Sequence, residues 1–138
     1  MKLVLATVAL TLALGACSNP SKGEAASLVA AVDRFRRADF AGKPALLAPL
    51  QEVACTDREV CAAKRACVAH AEPLVASIRA KNEVDQRMQN ADAEPLDPDA
   101  RAGLIRKLDE ASRLLDQGRT AQGACDEKIL QLRVKYGV

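Results

Sequence analysis

Residues 97–136 read DPDARAGLIRKLDEASRLLDQGRTAQGACDEKILQLRVKY, and their pattern decides the fold. Leu104, Leu108, Ala111, Leu115, Gly118, Gln122, Cys125, Ile129, Leu132 and Tyr136 follow one another at alternating steps of three and four. That spacing belongs to a helix lying at a shallow angle along a partner helix. Asp97 supplies a capping side chain and Pro98 suits the first helical position. Gly118 and Gly123 weaken the helix locally. Gly118 falls on the packed face, where a close crossing would call for it.

The partner lies upstream. Thr56 followed by Glu59 has the form of a capping box and predicts a helix over 57–89. Val60, Ala63, Cys67, Ala71, Leu74 and Ile78 mark its apolar face, which Met88 rejoins near the end. Pro73 sits inside and predicts a kink rather than a stop, because the pattern continues on both sides. The segment NADAEPLD (90–97) is a turn, so the two helices form an antiparallel hairpin. In such a hairpin the numbers of facing residues have a constant sum. Cys67 with Cys125, Leu74 with Gly118, Ile78 with Leu115 and Met88 with Leu104 agree to within one. The two stripes are in register.

Upstream again, Leu28, Val32 and Phe35 predict a helix over 24–40, with Asp33 and Arg37 as an i, i+4 pair and Gly42 as a stop. Pro44 then opens a short helix to about Ala54, bent or shortened by Pro49. No strand pattern of useful length occurs. The expected fold is all-α: a disulfide-stapled helical bundle of three or four helices over 24–138, dominated by the long antiparallel hairpin.

The N-terminus is a different kind of sequence. Met1 and Lys2 give a short positive start, and LVLATVALTLAL (3–14) is uncharged and apolar. This run is shorter than the roughly twenty residues a spanning helix needs. Leu14, Gly15, Ala16 and Cys17 follow, and this motif resembles the lipobox of bacterial lipoprotein signal peptides. The resemblance covers residues 1–17. It implies removal of 1–16 as a signal, a thioether-linked diacylglycerol on Cys17, and acylation of the new α-amino group. Ser18 resembles the outer-membrane sorting signal of enteric lipoproteins, so the expected location is the cell membrane or outer membrane, with the domain facing the periplasm or exterior. Two or three acyl chains hold a protein firmly where one does not. Residues 17–23, with the polar run SNPSKG, are expected to be the lipidated cysteine and a flexible tether, the run reaching roughly 20 Å when extended.

Export makes the remaining cysteines informative. Cys55, Cys61, Cys67 and Cys125 are even in number, which in an oxidising compartment predicts two disulfides. Three pairings are possible. Cys61 with Cys67 would span about 9 Å of helix, beyond the roughly 7 Å limit between bridged α-carbons. Cys55 with Cys67 would need about 15 Å. Cys55–Cys61 and Cys67–Cys125 remain, and the second locks the hairpin.

The composition narrows function mainly by exclusion. After loss of the signal, roughly 120 residues make one domain with a modest core. Acidic and basic residues alternate, unlike the concentrated basic face that nucleic acid demands. Arg34, Arg36 and Arg37, and Arg106 with Lys107, read as solvated helix faces. Two Phe, one Tyr and no Trp leave few platforms for stacking bases or sugars. The cysteine gaps do not fit zinc, c-type haem or thioredoxin-like motifs, and the bridges use up the thiolates. His70 beside Glu72 lies at a helix edge, with no nucleophile and orienting acid to form a catalytic set. Asp92, Glu94, Asp97 and Asp99 read as helix-start acids, lacking the ordered oxygens and central glycine of an EF-hand. No cofactor, metal site or enzymatic activity is expected. The expectation is an envelope lipoprotein acting as a structural or protein-interaction module, with an unidentified envelope protein as partner. A periplasmic or surface binding protein for a small ligand or metal is the alternative, and a thiol-redox protein is a third.

Overall fold

In the computed structural model, which describes residues 19–91 and 95–138, four helices account for most of the described residues. They are α1 (Pro20–Arg37), α2 (Lys43–Gln51), α3 (Arg58–Asn90) and α4 (Pro98–Tyr136), and there is no strand among the described residues. α4 has the bounds its sequence predicts. Asp97 Oδ1 accepts a hydrogen bond from Ala100 N at 2.7 Å, and Pro98 takes the first position. The helix ends at Gly137, whose φ of 65° is left-handed and costs a glycine no steric penalty.

The start of α3 corrects the capping-box expectation. Asp57, not Thr56, is the cap, its Oδ1 accepting from Glu59 N at 2.8 Å and Val60 N at 3.1 Å. Thr56 is engaged elsewhere, because its hydroxyl donates to Glu24 Oε1 at 2.6 Å. α3 then runs through Pro73 without ending.

α1 begins earlier than the apolar spacing predicts. Asn19 Oδ1 accepts from Ser21 N at 3.1 Å and Pro20 starts the helix, so residues 20–23 are its first turn and not a tether. An Asn–Pro start outweighs the small, polar composition there. The expected Asp33–Arg37 pair does not form. Arg37 donates to the Asp33 main-chain oxygen, while the Asp33 carboxylate accepts two hydrogen bonds from Arg133 Nη2 at 2.6 and 2.9 Å. Gly42 is not the stop of α1, which ends at Arg37; it precedes α2, its N–H donating to Asp39 Oδ1 at 2.7 Å. Lys43 Nζ in turn caps the end of α1, donating to the carbonyls of Phe35 at 2.7 Å and Arg36 at 3.3 Å.

The hairpin of α3 and α4 is the frame, and α1 packs on both of its helices while α2 packs on α1 and α3. Facing residues follow the antiparallel register. Cys67 and Cys125 are bridged with α-carbons 4.5 Å apart. A Cβ on Gly118 would lie 3.1 Å from the His70 carbonyl oxygen and 3.3 Å from Leu74 N, so only glycine lets the helices approach this closely without strain.

The core occupies one end of the frame. It joins Leu28, Val32 and Phe35 of α1, Leu50 of α2, Val60 to Val75 along α3, and Cys125, Ile129 and Leu132 of α4. Beyond Val75 the hairpin continues as an arm of two helices, where burial thins to Ser77, Ile78, Val84 and Ala111. Met88 and Leu108, placed on the packed faces by their spacing, are 55% and 42% exposed, and Gln122 is exposed too. Two helices alone bury a narrower seam than a bundle does, so the edges of each stripe stay in water.

Candidate functional site

Cys17 and Asp92 and Glu94 of the acidic turn lie outside the described residues. The other cysteines form two bridges of different character. Cys67–Cys125 joins the hairpin in the centre of the core, each cysteine 1% exposed. Cys55–Cys61 ties the loop before α3 to the first turns of that helix, with α-carbons 5.2 Å apart and both residues half-buried.

The densest polar cluster is one that sequence spacing does not reveal. It lies where α1 and α3 begin and α4 ends. The Glu24 carboxylate accepts from the Thr56 hydroxyl at 2.6 Å, from Thr56 N at 2.8 Å and from Asp57 N at 3.1 Å. These bonds hold the Glu24 carboxyl below its usual range, the Thr56 hydroxyl contributing most. Tyr136 donates to Asp57 Oδ2 at 3.1 Å. The Asp57 carboxyl is also lowered, chiefly by the N–H of Val60. Lys135 donates to Glu59 Oε2 at 2.7 Å, which raises the lysine. Every one of these groups is satisfied by a neighbour of the same fold. The cluster is a clasp that ties α1, α3 and α4 together.

No family model, curated protein or solved structure matches the chain. Function must be read from the residues themselves.

His70 is half-buried, its Nδ1–H donating to the Gly118 carbonyl at 2.8 Å and its ring meeting Phe35 edge-on with centroids 6.2 Å apart. It seals the crossing of α3 and α4. Asp97 and Asp99 sit at the start of α4, Asp97 as its cap. Among the described residues no three metal-ligating side chains converge.

The basic clusters are not simply solvated. Arg36 pairs with Asp126 and links α1 to α4, and Lys107 pairs with Glu83 across the arm. A groove of about 410 Å³ lies beside α2 and α3, lined by Gln51, Lys64, Arg65, Val68, Ala69 and Glu72. It is wide open, and three of its polar residues are committed: Gln51 donates to Glu72 at 2.6 Å, and Lys64 to the Val53 carbonyl at 2.7 Å.

Proposed function

We propose that this chain is a lipid-anchored lipoprotein of the bacterial envelope, and that its helical domain serves as a structural or protein-interaction module. The observation that carries the reading is the apolar run ending in Leu14, Gly15, Ala16 and Cys17. Two disulfides accord with an oxidising compartment. No described helix is long and apolar enough to cross a membrane. Acyl chains on Cys17 would supply attachment without one. The module reading draws support from a clasped, disulfide-locked base that presents a two-helix arm.

Replacing Cys17 with serine tests the anchor. In the native host the C17S protein is expected in the soluble fraction or as uncleaved precursor, without the mass of diacylglycerol. Membrane attachment with unchanged mass would refute the lipoprotein reading. Crosslinking in intact cells, with mass spectrometry of what is captured along 76–117, tests the module reading and names its partner.

A further inference from the structure

The outer face of α4 carries exposed apolar residues that no other described helix covers. Leu130 is 61% and Val134 79% exposed, one turn apart. With Glu59, Gln131 and Lys135 they frame a shallow, open concavity. Such a pair alone is ordinary on a protein surface. Its location is what gives it meaning.

Leu130 and Val134 are in the last turns of α4, at the clasped end of the molecule. There Tyr136 reaches Asp57, Lys135 reaches Glu59, and Glu24 ties the first turns of α1 to the start of α3. The chain enters the fold at this same end, through Asn19. Only Ser18 separates Asn19 from Cys17 in the sequence, so on the lipoprotein reading the anchor is two residues of chain from the helix cap. With residues 20–23 already helical, little slack remains between the acyl chains and the fold.

We infer that Leu130 and Val134 rest in the lipid interface, so that the domain is oriented on the bilayer and does not tumble on its anchor; this rests on the lipoprotein reading above. Two side chains are far too little surface for a stable protein complex, which buries on the order of 800 Å² per partner. They suffice for a surface already held at high local concentration by a covalent anchor. The cations nearest in sequence are engaged within the fold, Arg133 by Asp33 and Lys135 by Glu59, so the contact rests on the two apolar side chains. Ile105, 60% exposed, lies on the same face of α4 toward the arm. Between it and Leu130 that face carries Asp109, Asp116 and Glu127, all exposed. Those carboxylates oppose laying the whole helix on hydrocarbon. The contact is confined to the clasped end, and the arm points away from the bilayer.

The chain has no tryptophan, so one can be introduced as a depth probe. L130W, V134W and I105W are made in the full-length chain and purified from membranes with the lipid on. They are reconstituted into phosphatidylethanolamine–phosphatidylglycerol vesicles, with and without bromine on the acyl chains. Circular dichroism checks that each variant is folded. The emission of L130W and V134W is expected to shift to the blue and to be quenched roughly twofold or more by brominated lipid, with I105W unaffected. Vesicle-bound protein showing equal emission in both lipids at 130 and 134 overturns the orientation and leaves the anchor standing. A blue shift without quenching means that a second copy covers the face, which also overturns it. Quenching at 105 as strong as at 134 means that α4 lies flat. Protein that carries no acyl mass and fails to bind vesicles ends both readings.

Discussion

Glu24 joins the first turns of α1 to the start of α3 through three hydrogen bonds to Thr56 and Asp57, 32 and 33 residues on. Its carboxyl is held below the usual value of 4.5, and that of Asp57 below 3.8. A carboxylate lowered on folding contributes stability above its unfolded pKa, and the contribution is lost as pH falls through the folded value. The melting midpoint should therefore decline on acidification below about pH 4.5. E24Q should melt lower near neutral pH and decline less steeply, so that the two curves converge in acid; circular dichroism melts over this range decide it. Parallel curves would mean that Glu24 does not contribute. The glycines of α4 offer a second test at this scale. Nothing lies within 4 Å of a Cβ built on Gly123, so G123A should gain about 0.5–1 kcal/mol of helix propensity. At Gly118 the same Cβ presses on backbone atoms of α3 that cannot turn aside. G118A should lose that gain and a further 1 kcal/mol or so to overpacking. Urea unfolding of the two variants measures both.

Among the elements, the two bridges divide labour by position and loop length. Cys67–Cys125 closes 58 residues and Cys55–Cys61 closes 6. Denatured-state entropy then assigns about 4 kcal/mol to the first and about 2 kcal/mol to the second, both upper figures. Burial sets the order of reduction the other way round. The half-buried Cys55–Cys61 bridge should open first under mild reductant, while Cys67–Cys125 should resist until the core opens. Timed alkylation with peptide mapping reads that order, and simultaneous loss of both would contradict it. This pairing was legible because a helix has a fixed rise, which rules out the rival bridges without any knowledge of packing. The start of α4 was legible for a similar reason: Asp97 and Pro98 are local signals. Thr56 shows where local reading stops. Its capping-box spacing is genuine, but Glu24 competes for the hydroxyl from another helix, and no window around Thr56 contains that information. Asp33 is the same case, drawn from Arg37 by Arg133. Met88 fails differently, since periodicity identifies a face but not whether anything arrives to cover it.

For the molecule as a whole, the asymmetry between base and arm is the main physical fact. α3 spans about 50 Å over its 33 residues, yet α1 and α2 cover only its first half. In the base, three or four helices surround Leu28, Phe35, Val60 and Ile129, and the buried bridge runs through them. In the arm, each helix has one neighbour, and a helix of that length is marginal in water without tertiary support. Salt bridges such as Lys107–Glu83 add little there, because the Glu83 carboxylate is more than half in solvent and only Lys107 is partly covered. The arm should therefore open locally while the base stays closed. Hydrogen exchange on the oxidised domain should show amides at 79–90 and 100–112 exchanging on the order of 100-fold faster than those around Cys67, Val75 and Ile129. Equal protection along the full length of α3 would mean that the arm unfolds only with the base, and that its thin seam is stabilised by something other than the burial seen here. An arm that opens more readily than its base suits a part that settles on a partner. The clasped and bridged end, where the chain enters from Cys17, then has the stability to hold that arm in place.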